Sequence, residues 1–301
     1  MFTYRKLALS SLSEVARIEV VRDAQIAFAG KIPTPLPYRV VPAAKTSHLE
    51  SAFDASGISA FVVPSALASQ VPDDVGLAIS EDPQAAVARA QAHLAVQENF
   101  QWESFPSRVD PTAVIENTAF IAPKDVIIGA GCYVGPQTAV LERSVLGTGC
   151  SIGAGTVIGA DAFDQMHGAS PARILPQSGG VKLEDHVTIQ SKCTIVRATF
   201  GGFTTLGSET MLDCQVHVAH DCQIGKRVKL TACSEISGRV EIGDDSFLGP
   251  NCSISNGVKI GKSVHVTIGS VVVRDVEDGQ RVSGNFALPH QKWLNFVRTF
   301  R

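Results

Sequence analysis

The sequence predicts a mainly β fold: a left-handed parallel β-helix of hexapeptide repeats, with a small N-terminal α/β domain and a short C-terminal helix. Three observations predict it. From Leu206 the chain reads LGSETM, LDCQVH, VAHDCQ, IGKRVK, LTACSE, ISGRVE, IGDDSF, LGPNCS, ISNGVK and IGKSVH, each hexad opening on Leu, Ile or Val. An earlier array holds IGAGCY from Ile128, LGTGCS, IGAGTV and IGADAF from Leu146, and LEDHVT, IQSKCT and IVRATF from Leu183. The fifth position of these hexads carries only small or β-branched residues: Cys132, Cys150, Thr156, Ala162, Val187, Cys193, Thr199, Cys222, Val228, Ser234, Ser246 and Cys252.

Six residues make one short strand and a turn, and three strands close a coil of about 18 residues whose aliphatics stack on those of the next coil. The leading aliphatic is therefore core. A Gly or other small residue often follows it, where a Cβ is costly and the backbone is expected to turn tightly. The fifth position also faces inward. Five of the seven cysteines stand there, which reads them as small buried side chains rather than as nucleophiles or metal ligands. No CxxC occurs, and reduced thiols suit a cytoplasmic protein.

The elements before the helix follow in order. KIPTPLPY, with three prolines, reads as an extended loop. HLESAFDASGISAFVVP combines an amphipathic helix with a short buried strand, and EDPQAAVARAQAHLAVQ reads as a helix capped by Asp82 with Pro83 in its first turn. These place a small α/β domain at residues 1–105 and the β-helix at 106–275. Within the helix, DQMHGASPARILPQSGG between Phe163 and Val181 breaks the hexads and should protrude as a loop. GGFTT from Gly201 to Thr205 reads as a smaller adjustment between coils. The tail, 276–301, contains LPHQKWLNFVRTFR, which puts Trp293, Phe296, Val297 and Phe300 on one face of a short docking helix.

A chain of 301 residues can bury two cores without disulfides or metal. Its 45% hydrophobic and 18% charged residues, with a net charge of −3, leave no basic footprint for nucleic acid. No run is long and apolar enough for an integral membrane segment. The first residues carry Arg5 and Lys6, but Ser10, Ser11, Ser13 and Glu14 break the apolar stretch, unlike a signal peptide.

The dense cluster of ionisable residues within the hexads is VHVAHDC, with His217, His220 and Asp221. A histidine can take a proton from an attacking amine or hydroxyl near neutral pH, and a neighbouring carboxylate can fix its tautomer. A corner histidine can also be merely solvated; two histidines and an acid within five positions favour the catalytic reading, with His220 as base and His217 and Asp221 supporting it. A zinc site would have to use the HxxH pair with His186, several hexads away, and is the weaker reading. No metal is expected.

The succession of VDPTAVIENTAFI, IGADAF with its excursion, LDCQVHVAHDCQIG and the tail SGNFALPHQKWL resembles the UDP-3-O-acylglucosamine N-acyltransferase family, over nearly the whole chain. The resemblance implies a homotrimer with sites between subunits and a UDP-amino sugar as acceptor. It also implies a phosphopantetheine thioester on acyl-carrier protein as donor, with no bound cofactor. The family's catalytic histidine matches His220. Phe28 and Tyr38 stand where aromatics could stack on a uracil ring, and ordinary packing is an equal alternative. The sequence departs from the family in four places. GKIPTPLPY replaces an Asn-Pro-Lys-Tyr string, His217 replaces a glutamine, Val258 replaces a second histidine, and IVRATFGG replaces an Asp-Arg-Gly string. Two other readings stay open: an acetyl-CoA-dependent nucleotide-sugar acetyltransferase and a non-catalytic trimeric scaffold.

Overall fold

A computed structural model describes residues 3–30, 36–53, 56–284, 287 and 289–299, with the side chain of residue 53 also left aside. Part of the KIPTPLPY segment, 31–35, therefore lies outside the described residues, as does Phe300.

Residues from Arg108 onward wind into a left-handed parallel β-helix with three flat faces. Successive strands take successive faces, so every third strand pairs with its predecessor. The first face runs from Arg108–Val109 to Lys259–Ile260 in eight strands. The second runs from Val114–Ile115 to Arg281–Val282 in nine, and the third from Phe120–Ile121 to Val271–Val272 in eight. In the regular part Thr205 pairs with Gln223, Gln223 with Glu241 and Glu241 with Lys259, the same one-coil step each time. The last strand, Arg281–Val282, falls beyond residue 275, and the final coil is cut short: His265 pairs with Arg281, which comes before a full coil is complete.

The leading aliphatics Leu206, Leu212, Val218, Ile224, Leu230 and Ile236 are no more than 3% exposed. Each such burial contributes about 1.5–3 kcal/mol, so the stack supplies its own core. All twelve fifth-position residues named above are likewise buried. Their polar members also donate across coils. The thiols of Cys132, Cys193, Cys222 and Cys252 reach the carbonyls of Gly147, Asp213, Ser237 and Thr267 at 3.0–3.1 Å. Ser246 reaches Gly261 at 2.8 Å.

The small residue after the leading aliphatic has a different cause from the one expected. The tight turn falls two positions later, where Arg227, Asp245 and Ser263 adopt positive φ. Gly225 is needed because a Cβ there would stand 2.8 Å from the backbone nitrogen of Asp244 in the next coil. Close stacking, rather than the turn, excludes the side chain.

Both interruptions leave the helix at one corner, between the third face and the first. Ser144 pairs with Val181 and Val181 with Thr204, and each of these steps is longer than a regular coil, the former by far the more. The larger excursion lies between Ala160 and Gly180, the smaller between Val196 and Phe203.

The N-terminal domain is a five-stranded sheet in the order Glu19–Arg22, Gly76–Ile79, Ile58–Val63, Arg39–Pro42, Phe28–Ala29; the first pair is antiparallel and the rest parallel. Helix α1 (Ser13–Ala16) and helix α3 (Pro83–Ala95) cover one side with helix α2 (Thr46–Phe53) on the other. Alternation along the strands sends Val40 and Val62 to the first core and Val41 and Val63 to the second. Helix α3 starts as its sequence requires: Asp82 Oδ1 accepts from Ala85 N at 3.0 Å, and Pro83 occupies the first turn. The tail forms helix α4 (His290–Arg298), with Trp293 and Phe296 rings 6.0 Å apart. None of its described residues is buried, so the docking expected of this face is not made within one chain.

Candidate active site

His220 and Asp221 occupy the corner between the third and first faces, in the coil that follows the smaller excursion. Local conformation brings them together. Asp221 adopts φ 61°, a left-handed corner that Asp tolerates better than most residues, and its carboxylate turns back on its neighbour. Asp221 Oδ2 lies 2.8 Å from His220 Nδ1. The two side chains are only 16% and 17% exposed. The second carboxylate oxygen accepts from the backbone N–H of Thr199 at 3.2 Å, and the Asp221 N–H donates to Thr204 Oγ1 at 2.9 Å. Thr199 within the smaller excursion and Thr204 just after it thus hold the acid that orients the imidazole.

With Nδ1 directed to the carboxylate, a neutral His220 carries its proton there and leaves Nε2 with a lone pair. The ring lies over the corner of the following coil: a Cβ on Gly238 would be 2.5 Å from Nε2 and 3.0 Å from Asn256 Nδ2. Residues 220, 238 and 256 recur at the coil step, and the backbone carries the stacking through Arg239 N to His220 O and Gly257 N to Gly238 O. Gly238 and Asn256 were missed in reading the sequence. The signal was available, since stepping on from His220 by one coil and then by another lands on both.

Cys222, next in the chain after Asp221, is no nucleophile. Burial pushes its thiol up to about 12, and the S–H donates to the Ser237 carbonyl.

The other predicted site residues fall elsewhere. His217 lies in a third-face strand, paired with Thr194 and Glu235, and its Nε2 faces Glu235 Oε1 at 3.8 Å. No hydrogen bond among the described residues joins it to His220. His186 adopts the corner between the first and second faces, stacked on Gly149. No group of three His, Cys, Asp or Glu among the described residues could hold a metal ion. Val258 is buried in the helix core. Phe28 is fully buried, with its ring against Gly201 of the smaller excursion and 5.2 Å from Tyr4. It cements the domain to the helix and cannot stack on a ligand where it stands, a correction to the stacking role offered for it. Tyr38 is partly exposed, with Lys6 Nζ 3.5 Å from its ring centroid.

Comparison with known proteins places the repeats. Residues 125–160 match the bacterial transferase hexapeptide (six repeats), and 239–274 match the hexapeptide repeat of succinyl-transferase. These two stretches carry hexapeptide repeats. It is 33% identical over 156 residues to the UDP-3-O-acylglucosamine N-acyltransferase of Caulobacter sp. (strain K31), covering 52% of this chain and 46% of that protein. The enzyme of the same name from Janthinobacterium sp. (strain Marseille) is 30% identical over 165 residues, 55% of this chain and 47% of that one. The chain spans about half the length of these curated relatives. Among solved structures, the Francisella novicida UDP-N-acetylglucosamine acyltransferase aligns with a TM-score of 0.50 and 25% identity, over 59% of this chain and 65% of that one. No helix among the described residues is long and apolar enough to cross a membrane.

Proposed function

We propose that this repeat protein is an acyltransferase of lipid A biosynthesis, moving an acyl group from a carrier-protein thioester to the amine of a UDP-linked amino sugar in the cytoplasm. The observation that carries the reading is the His220–Asp221 pair at 2.8 Å, set on a hexapeptide-repeat helix similar to named N-acyltransferases. Nε2 of His220 takes the proton from the sugar amine as its nitrogen attacks the thioester carbonyl. A backbone N–H stabilises the tetrahedral oxyanion. The C–S bond then breaks, and the imidazolium returns the proton to the departing phosphopantetheine thiolate. Asp221 holds the imidazole in the required tautomer and balances the charge it acquires.

Subunits associate as a homotrimer in this proposal, with acyl-carrier protein as partner and no bound cofactor. Of the two aromatics considered for the uracil ring, only Tyr38 retains that part, because Phe28 is buried. His217, directed to Glu235, has no part in the proton transfer itself.

A donor screen tests the reading: acetyl-CoA and long-chain acyl-carrier protein are each offered with UDP-amino sugars. Transfer from the carrier protein is expected; transfer from acetyl-CoA alone would replace this reading with the acetyltransferase one. His220→Ala should lower kcat at least about a hundredfold, the scale of a lost general base. Unchanged turnover in that variant at saturating donor and acceptor would remove His220 from the chemistry.

A further inference from the structure

The proton-transfer pair is tied to the N-terminal domain by one buried side chain. Gln91, on α3, is fully buried where that helix meets both excursions. Its amide nitrogen lies 3.2 Å from the Pro176 carbonyl, 3.1 Å from Ser178 Oγ and 3.2 Å from the Thr199 carbonyl. Ser178 N also donates to the Thr199 carbonyl, at 3.1 Å. The N–H of Thr199 in turn donates to Asp221 Oδ1, whose other oxygen holds His220. The path from α3 to the imidazole thus has three links: Gln91 to the Thr199 carbonyl, the Thr199 N–H to Asp221, and Asp221 to His220.

Stability alone does not account for this glutamine. Its own Oε1 and the Thr199 Oγ1 are buried without hydrogen-bond partners among the described residues, a state that costs free energy an apolar side chain would not incur. Polar groups kept under such conditions fix geometry, because each bond in a dry site is directional and strong. Here the fixed object is the Thr199 backbone, and through it the orientation of a carboxylate that has one oxygen for Thr199 and one for His220.

We propose that Gln91 is a positioning residue for the His220–Asp221 pair: by clamping Pro176, Ser178 and Thr199, it makes the tautomer of the catalytic imidazole depend on docking of the N-terminal domain. The proposal deepens the acyltransferase reading, although its first readout does not require that activity. When Thr199 shifts, Asp221 swings, the Nδ1–H bond weakens, and the ring gains access to the Nε2–H tautomer, in which Nε2 can no longer accept a proton.

The test uses the full chain with 15N-labelled histidine, reading the His220 ring nitrogens by NMR in wild type, Gln91→Met and Arg89→Met. Arg89 lies on the same helix but, among the described residues, its side chain donates only to the Ala16 carbonyl of its own domain, at 2.8–3.1 Å, so its loss perturbs α3 without touching the path. Wild type and Arg89→Met should show the Nδ1–H form, and Gln91→Met a mixture with the Nε2–H form. In acyl transfer, Gln91→Met should lose about tenfold or more in kcat with KM changed less than about twofold, as for a misplaced catalytic group. If Gln91→Met does not fold, Gln91→Asn, which keeps the amide but shortens its reach, is read in the same way. An unchanged tautomer in the Gln91 variant would overturn the proposal, and so would an equal change in Arg89→Met. A tautomer shift in Gln91→Met alone, with no acyl transfer by wild type from any donor, would sustain the path and sink the functional reading instead.

Discussion

Gly238 shows how a residue can matter through what it lacks. Its backbone lies one coil beyond His220, and the imidazole edge occupies the volume a methyl group would take. Gly238→Ala should therefore push the ring from its place against Asp221 while leaving the stacked aliphatics untouched. An expected outcome is a fall in kcat of about ten- to a hundredfold with little change in melting temperature, since a displacement of about 1 Å is enough to cost that much. Steady-state kinetics beside thermal unfolding checks it; full activity in Gly238→Ala would mean that the imidazole works from another rotamer. Asp221 makes the complementary point. Its left-handed φ, its N–H to Thr204 and its Oδ1 to Thr199 leave the carboxylate little freedom, so the acid is oriented before any substrate arrives.

At the scale of the hexad, the fifth position joins packing to hydrogen bonding. A thiol or hydroxyl there is small enough for the interior and can donate to a carbonyl of the next coil, as Cys222 does to Ser237 and Ser246 to Gly261. Burial pushes Cys193 up to about 11 and Cys222 to about 12, so these thiols stay protonated and unreactive at neutral pH. Cys233 is exposed and Cys214 partly so, while the other five of the seven cysteines are buried. Titration with a water-soluble thiol reagent should modify Cys233 quickly, Cys214 more slowly, and the remaining five only after denaturation. Rapid native modification of Cys222 would contradict its place inside the coil. The corner between the third and first faces has a different use: both excursions leave there, and the larger one is joined to the start of α3 by His167 and Asp82 at 3.3 Å. Loops carried on a rigid stack can thus crowd one edge without disturbing the strands beneath.

For the whole molecule, the N-terminal domain is seated on the excursions through several contacts. Phe28 lies against Gly201, Phe200 stands against Gly30, and the Trp102 ring is 5.8 Å from that of Phe203. The seam is immediately beside the segment that holds Asp221. The faces of the helix and α4 leave Met211, Val271, Trp293 and Phe296 exposed in one chain. Association into the proposed trimer would cover part of this apolar surface. Sedimentation equilibrium should then return about three times the 31.8 kDa chain mass. A monomer at micromolar concentration would count against sites shared between subunits.

Sequence periodicity alone determined the coil, its inward positions and the existence of two excursions, because a solenoid repeats the same local packing problem in every hexad; the smaller excursion, read at Gly201–Thr205, in fact leaves after Val196 and rejoins a strand at Phe203. Asp82, Pro83 and the short buried run at Ile58–Val63 likewise carried the N-terminal elements, whose caps and apolar runs are local properties. Tertiary structure decided what depended on distance across coils or domains. It set His217 toward Glu235, buried Phe28 against Gly201, and put Gly238 beside an imidazole from the preceding coil. It also joined Gln91 on α3 to Thr199 in the smaller excursion, two segments far apart in the chain. A hexad pattern says which side chains point inward; only the stacking of coils and the seating of one domain on another says what each outward-facing or excursion residue touches.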